Sequence, residues 1–413
     1  MLWVFSCFVF ASVRKARPKE DAASLFSMMR SVDIFSGIGG LALALEPFAT
    51  PMALCEIDAF CTSVLTSRMR EGQMPRAPIH ADVRTLHVSA LEPELVVAGF
   101  PCQDVSTLGA RAGMRGSRSS LVFEVIRVVD ETPSVVAVFL ENVSNIATCG
   151  GEEIVRALAE RGFSARWTMR AASDEGAPHV RLRWFLLATR ADGAARVAAS
   201  VASFEPEPRE WPVEPRVSLL AREEQGPNWA RRMAALGNAV VPRVARRAFV
   251  ELARTAPSLP ALASILETES AEFPRSGILV DAKVYSVPAP SPARTARLPT
   301  PRSANVYPTV PSDARSDTLA TVLVGGAGHL AFLPDPRYVE WMMGFEADWT
   351  RVEEREPPAS PVPAPVGPRR RLNGMHMLMR DRPGTVSATA AIWRALSAEE
   401  RAAYTAQARL CDE

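Results

Sequence analysis

Between about residues 31 and 190, short apolar runs alternate with stretches of helical periodicity, and this alternation constrains the fold more than any other feature. Strands that are apolar throughout and are joined by helices predict an α/β fold with a doubly wound, mostly parallel sheet covered on both faces. Such sheets bind ligands at the carboxyl ends of their strands. The predicted strands are 32–35, 52–55, 95–98, 135–140 and 185–188, and the predicted helices are 121–129 and 153–161.

Composition limits the partners that can be expected. The formal net charge is only +1, so attraction to a polyanion would require a local basic face. The six cysteines contain no C-x-x-C pair, which indicates neither a zinc site nor a disulfide framework. We therefore expect no metal, free thiols and a reducing compartment.

A glycine-rich segment, residues 33–41, follows the first predicted strand and opens a helix. Its glycines allow a tight turn that presents N–H groups at a helix start to a ligand. Glu56 ends the next strand, where a carboxylate can accept hydrogen bonds from the ribose hydroxyls of a nucleotide. Asp82 ends the third strand region, where its carboxylate would contact the edge of an adenine ring. Each feature alone is also compatible with a structural turn or a solvated strand end, but this order favours a nucleotide-type ligand. The glycines are Gly37, Gly39 and Gly40.

A candidate nucleophile, Cys102, lies in residues 99–104, directly after the predicted strand 95–98. A lone cysteine is usually a small buried hydrophobe. Here Pro101 fixes the backbone, the position is at the ligand-binding edge of the sheet, and a following arginine-rich turn could favour a thiolate. These features favour a reactive thiol.

Together with Glu141-Asn-Val143 after the fifth strand, these segments resemble the DNA cytosine-5 methyltransferase family, in the family's order. Residues 178–185 look like the family's arginine motif, and residues 237–242 resemble its closing motif, which returns to the cofactor pocket. The resemblance implies a class I, Rossmann-like methyltransferase fold. It also implies S-adenosylmethionine as methyl donor and double-stranded DNA as the partner.

The resemblance assigns a role to each matching residue. Cys102 would add to carbon 6 of a flipped cytosine, which makes carbon 5 nucleophilic, and would leave by β-elimination after methyl transfer. Glu141 would bind the N3 side of the base, and Arg181 with Arg183 would steady the base and its phosphate. The residues expected to line the cofactor pocket are Phe35, Gly37, Gly39, Gly40, Glu56, Asp82, Pro101 and Asn238.

This sequence departs from the family's pattern at two positions of the arginine motif. His179 stands where relatives usually have Gln, and Leu182 replaces the usual acid between the two arginines. Because Arg181 and Arg183 keep their spacing, we expect the motif to retain its role.

The rest of the chain suggests several further units. We expect a disordered or misassigned leader (1–29), with a targeting peptide as the alternative. Residues 298–349 resemble a C-terminal extension of phage-type relatives, although the aromatic residues at 338–345 are better explained as core. The C-terminal tail resembles a shortened HMG box, and the structural alternative is a small pair of helices docked on the protein.

The expected divisions are the leader, a SAM-binding catalytic domain (30–190), a short target-recognition region without a clear period (191–227), a closing helix (228–256), the extension (257–354), a Pro-rich linker with a basic arm (355–371) and the helical module (372–410).

Two other functions remain open from the sequence. One is an RNA methyltransferase of the same fold, and the other is a catalytically silent DNA-binding protein. We expect a monomer that acts on DNA inside the cell without membrane association. A restriction endonuclease partner and the compartment stay open.

Overall fold

The computed structural model describes residues 28–101, 121–215, 220–221, 228–254, 273–280, 283–287, 298, 300–301 and 333–352. All of them belong to one unit of the chain, Met1–Val352. Cys102, the arginine-rich turn after it, residues 1–27, the linker with its basic arm and the HMG-box-like module lie outside the described residues.

The described residues form two sheets. The strands are β1 (Met29–Ile34), β2 (Ala49–Cys55), β3 (Ile79–His80), β4 (Leu95–Gly99), β5 (Ala137–Val143), β6 (Ser164–Arg170), β7 (Arg183–Thr189), β8 (Leu220–Ala221), β9 (Gly277–Val280), β10 (Lys283–Ser286) and β11 (Leu333–Pro334). The main sheet has nine strands in the order β10-β9-β6-β7-β5-β4-β1-β2-β3. A short antiparallel pair, β8 and β11, forms the second sheet.

The sheet is parallel on one side and antiparallel on the other. Strands β3, β2, β1, β4 and β5 run parallel, whereas β7 pairs antiparallel with both β5 and β6. Strands β9 and β10 extend the antiparallel side. The five parallel strands place the ends of β1, β2, β4 and β5 at one edge, which is where the ligand-binding edge was predicted.

Helices cover both faces of the sheet, because alternate residues of the apolar strands point to opposite sides. In β4, Leu95 and Val97 belong to the core under one set of helices, while Val96 and Ala98 belong to the core under the other. The predicted α/β class with a mostly parallel, doubly wound sheet is thereby confirmed. The helices are α1 (Gly40–Leu45), α2 (Ala59–Arg70), α3 (Leu121–Glu131), α4 (Gly151–Ala159), α5 (Ala191–Ser200), α6 (Trp229–Asn238), α7 (Pro242–Arg254) and α8 (Pro336–Met342).

The structure differs from the sequence-based expectation at several elements, one of which is β6, a strand that was not predicted. Residues 191–227 showed no clear period, yet α5 forms there from an alanine-rich stretch with high intrinsic helix propensity. No strand was predicted in the extension (257–354), yet β9 and β10 lie there. The single closing helix expected at 228–256 is two helices, because Pro242 starts a new one at its first position.

The aromatic patch of the extension is core, as expected. Tyr338, Met342 and Phe345 are each at most 6% exposed, and Trp341 is partly buried against the same core. None of the helices in the described part of the chain has the length and apolar character needed to cross a bilayer.

Candidate functional site

A cavity of about 1170 Å³ opens at the carboxyl edge of the parallel strands. Cavities for small ligands commonly measure about 300–1,000 Å³, so this one has room for a nucleoside-sized ligand and part of a second. It is lined by nine of the residues predicted for the site, namely Phe35, Gly37, Gly40, Glu56, Pro101, Glu141, Arg181, Arg183 and Asn238.

The glycine-rich turn forms one end of this cavity, between β1 and α1. A side chain at Gly39 would approach the Met74 side chain to within 2.7 Å, and its φ of +89° also favours glycine. A side chain at Gly40 would come within 2.7 Å of Val240 in the closing motif. These glycines therefore allow close packing of the turn, while the Cβ position of Gly37 meets open space. We call residues 35–40 the cofactor turn.

Glu56 ties the end of β2 to the cofactor turn. One carboxylate oxygen accepts a hydrogen bond from the backbone N–H of Gly37 at 2.7 Å, and the other accepts from Asp58 N–H at 2.7 Å. Burial raises the pKa of Glu56, and these backbone donors partly oppose the rise. Each oxygen keeps a further lone pair for a ligand hydroxyl.

Two predicted cofactor residues do not line the cavity. Gly39 packs against Met74 instead. Asp82 is bound by Arg84, whose Nη2 and Nε lie 2.7 and 2.9 Å from its two carboxylate oxygens. Hydrogen bonds from Arg84 lower the pKa of Asp82. A contact between Asp82 and an adenine edge would require this pair to open, and the contact stays a prediction.

Glu141, near the end of β5, marks the other end of the cavity. Its Oε1 lies 3.2 Å from Nε of Arg183, the first residue of β7. Burial raises the pKa of Glu141, and the charges of Arg183 and Arg181 oppose that rise. A side chain at Gly99, its neighbour in β4, would lie 3.3 Å from the Glu141 carboxylate. We call Glu141 with Arg183 the carboxyl–arginine pair.

Asn142, next to Glu141, is a residue whose function the sequence analysis missed. Its buried Nδ2 donates to the carbonyl of Phe100 at 2.9 Å. This bond holds the end of β4 and leads the chain through Pro101 at the cavity wall. The polar side chain directly after Glu141 in an otherwise apolar strand was the available signal.

Arg181 is a buried anchor as well as a cavity-lining residue. Its guanidinium donates to the carbonyls of Pro301 at 2.8 Å, of Gly237 at 2.9 Å and of Ala239. Its backbone lies in the left-handed region, with φ of +37°, and its N–H donates to Thr300 Oγ1. Arg181 thus joins the arginine motif to the closing motif, and its predicted contact with the base or a phosphate stays a prediction.

His179 has a structural explanation. Its Nε2 lies 2.8 Å from the carbonyl of Met342 in α8. Burial, with the nearby charge of Arg181, lowers the pKa of His179 to about 3, so the ring is neutral and donates this hydrogen bond. A glutamine amide could donate in the same way, which is consistent with the exchange of Gln for His at this position.

Two further lining residues were not predicted. Ile57, next to Glu56, is 70% exposed, and an exposed apolar side chain on a cavity wall suits the face of a ligand ring. Arg231 on α6 is exposed and has no ion-pair partner among the described residues. It lies on the helix face of Ala234, Ala235 and Asn238, which all line the cavity.

Comparison with known proteins identifies the family. Residues 29–234, about half of the chain, match the model of the C-5 cytosine-specific DNA methylase family. The type II methyltransferase M.CviJI of Paramecium bursaria Chlorella virus IL3A is 32% identical over 167 residues, which are 40% of this chain and 44% of that protein. The type II methyltransferase M.HhaI of Haemophilus parahaemolyticus is 31% identical over 170 residues, 40% of this chain and 50% of that protein.

The chain thus spans about half the length of the curated relatives it matches. Two solved structures with low overall similarity are a putative DNA modification methyltransferase encoded within an E. coli prophage and DNMT2 of Spodoptera frugiperda. The first has a TM-score of 0.36 and 18% identity, covering 50% of this chain and 64% of that one. The second has a TM-score of 0.33 and 20% identity, covering 39% and 50%. On the family match over residues 29–234, this chain is a member of the C-5 cytosine-specific DNA methylase family.

Proposed function

We propose that the protein transfers a methyl group from S-adenosylmethionine to carbon 5 of a cytosine in double-stranded DNA. One observation carries this proposal: the carboxyl–arginine pair and the cofactor turn face the same cavity. A buried carboxyl with a raised pKa, held by a guanidinium, is suited to hydrogen-bond a ring nitrogen of a pyrimidine.

S-adenosylmethionine supplies an electrophilic methyl group on a sulfonium. The residues at the cofactor end fit the adenosine part of this molecule. Glu56 offers carboxylate lone pairs to ribose hydroxyls, and Ile57 offers an exposed apolar surface to the purine. The open space at Gly37 and the cavity-lining Asn238 would accommodate the rest of the S-adenosylmethionine molecule.

Cys102 is the proposed nucleophile, and it follows Pro101, a residue of the cavity wall, directly in the sequence. Its thiolate adds to carbon 6 of cytosine, while the protonated Glu141 donates a hydrogen bond or its proton to N3. The ring electrons then make carbon 5 nucleophilic toward the methyl group. Transfer of the methyl group leaves S-adenosylhomocysteine. Solvent water then takes the carbon 5 proton, the thiolate departs and N3 returns its proton to Glu141, which restores the aromatic ring.

Arg183 helps Glu141 in this scheme. Its guanidinium fixes one carboxyl oxygen at 3.2 Å, which orients the other oxygen toward a base. Its positive charge also keeps the pKa of Glu141 from rising as far as burial alone would raise it.

A DNA substrate requires local cations, because the whole chain carries a net charge of only +1. Arg231 offers one at the cavity wall, and it lies two helical turns, about 10 Å, from Asn238. Its exposed position on the cavity wall suits a phosphate of the strand that holds the flipped base. We propose that Arg231 makes such a contact.

Further proposals concern the parts of the chain beyond the cavity. The short region before α6 would read sequence, the extension would complete the DNA cleft, and the tail would bind the minor groove with the arm Arg369–Arg371 on phosphates. Replacing these three arginines by Ala should reduce the salt dependence of DNA affinity. An unchanged salt dependence would contradict the role of the arm.

The function is tested by transfer of a radiolabelled methyl group from S-adenosylmethionine to duplex DNA and, in parallel, to tRNA. We expect label in DNA only, and bisulfite sequencing of DNA from an expressing host should show methylated cytosines in a defined sequence. Label in tRNA only would identify an RNA methyltransferase. Transfer to neither, with DNA binding retained, would identify a silent DNA-binding protein.

A further inference from the structure

The segment Asp335–Val352 of the extension, which includes α8, lies outside the family match at 29–234 and yet contacts the cofactor turn. We propose that Trp349 in this segment is a positioning residue, which fixes the cofactor turn by hydrogen-bonding the carbonyl of Ile38 and thereby sets the affinity for the methyl donor. The inference rests on the proposed function, because it assumes that the turn binds this ligand.

The contact is direct and buried. The indole Nε1 of Trp349 donates to the Ile38 carbonyl at 2.9 Å, and Trp349 is only 2% exposed. Phe345, whose ring lies 5.6 Å from that of Trp349, reaches to 3.5 Å from the Cβ position of Gly40. Two aromatic residues of the segment therefore pack against consecutive parts of one turn.

The segment is held rigidly enough to act as a support. Glu340 is fully buried, and its carboxylate accepts hydrogen bonds from Arg232 Nη2 at 2.9 Å, from Asp348 N–H at 2.7 Å and from Thr350 N–H at 2.8 Å. These bonds close residues 340–350 around one carboxylate and join them to α6. Trp349 lies inside this loop, so its indole cannot move far from Ile38.

A second connection joins the same loop to α2. The guanidinium of Arg68 donates to the carbonyl of Asp348 at 3.1 Å and to that of Arg351 at 3.2 Å. These two residues flank Trp349, and Arg68 also lies 5.8 Å above its ring. Since α2 begins at the cavity wall with Ala59 and Phe60, the loop is fixed to both sides of the site.

The position of the bond in the turn explains why it should affect binding. Gly37 lies on one side of Ile38 with its N–H on Glu56, and Gly39 lies on the other side with φ of +89°. Glycines leave the backbone free to rotate. The N–H of the peptide between Ile38 and Gly39 donates to the Ser36 carbonyl at 2.8 Å, and the Trp349 indole supplies the partner of its carbonyl. Without the indole N–H, a buried carbonyl would lose its partner, and the turn could relax away from the geometry that binds the ligand.

The test is Trp349→Phe, which removes the indole N–H and keeps an aromatic ring. The matched control is Trp341→Phe in the same segment, because the Trp341 indole donates to Pro212 at 2.8 Å and does not contact the turn. Calorimetric titration with S-adenosylhomocysteine should show a Kd about tenfold higher for Trp349→Phe. The Kd of Trp341→Phe should equal that of the wild type, and hydrogen exchange at residues 36–40 should accelerate in Trp349→Phe alone.

The outcomes separate this inference from the proposed function. If the wild type binds and Trp349→Phe binds equally well, the positioning role is wrong and the function stands. If the wild type binds no S-adenosylhomocysteine, the proposed function itself fails. Should Trp349→Phe not fold, Phe345→Leu removes the ring beside Gly40 and keeps the indole. A higher Kd for S-adenosylhomocysteine in that folded variant would support the proposal that the segment positions the cofactor turn, and an unchanged Kd would overturn it.

Discussion

The two ends of the cavity are built in different ways. At the cofactor end, the groups that shape the site are backbone amides and carbonyls, which Glu56 and Trp349 hold from outside the turn. At the base end, the shaping groups are side chains, Glu141 and Arg183, which hold each other. A single substitution of Glu141 or Arg183 therefore removes a shaping group of the base end directly, whereas the shaping groups of the turn belong to its backbone.

Each end also contains a buried carboxyl whose pKa is raised, but their surroundings differ. Glu141 lies against Arg183, which limits the rise. Asp33, in β1 just before the cofactor turn, has no cationic partner among the described residues; burial and the nearby Glu56 carboxylate raise its pKa to about 8. Of these two carboxyls, Glu141 is therefore the one whose proton affinity a neighbouring cation among the described residues can tune, as acid–base chemistry requires.

The largest effect is expected at the base end from Cys102→Ser. Methyl transfer to duplex DNA should fall by at least about 10³-fold, because the hydroxyl is a far weaker nucleophile than the thiolate. The affinity for S-adenosylhomocysteine, measured by calorimetry, should not change. Retained methylation would show that the base end does not use this thiol.

The next largest effect is expected from Glu141→Gln, which should slow methyl transfer by about 10²-fold. The wild-type rate should decline at high pH, since the mechanism uses the protonated carboxyl and deprotonation removes it as the pH rises through its raised pKa. The Gln variant should lack this decline. Single-turnover rates over a pH series would check both points, and an identical pH profile in the two proteins would argue against proton donation by Glu141.

At the cofactor end, Asp33→Asn should alter how stability depends on pH. Between the ordinary pKa of an aspartate and about 8, the folded protein keeps a proton on Asp33 that the unfolded chain has lost. The free energy of unfolding should therefore fall as pH rises through this window, by up to about 1.4 kcal/mol per pH unit. Urea titrations from pH 5 to 9 should show that the free energy of unfolding of Asp33→Asn depends less on pH than that of the wild type. Asp192→Asn, at an exposed position, should show the same pH dependence as the wild type. Equal slopes in all three proteins would contradict the buried neutral carboxyl.

The smallest effect is expected from Arg231→Ala, which should weaken DNA binding several-fold. If Arg231 contacts one phosphate, the slope of log affinity against log salt should decrease in magnitude by about 0.9. Arg70→Ala is a matched control, because Arg70 is also exposed and helical but lies at the far end of α2. A higher Kd for S-adenosylhomocysteine in Arg231→Ala would instead assign this arginine to the cofactor end.

The sequence predicted the parts of this site that depend on local pattern. The strand ends that bear Glu56 and Glu141 follow from apolar runs, and the turn at residues 35–40 follows from its glycines. The contacts of Arg181, His179 and Trp349 could not be predicted, because each joins residues more than 50 positions apart. The antiparallel strands β9 and β10 were missed for a related reason, since a short edge strand depends on its neighbour more than on its own sequence.

The central claim is that a cysteine thiolate attacks the cytosine ring at the base end of this cavity. Duplex DNA that carries 5-fluorocytosine at the methylated position tests it directly, because fluorine blocks the loss of the carbon 5 proton. With S-adenosylmethionine present, we expect a complex that survives denaturation, with the base attached to Cys102 by mass spectrometry. A wild-type protein that methylates ordinary duplex DNA but forms no such complex, or one attached at another residue, would contradict the account.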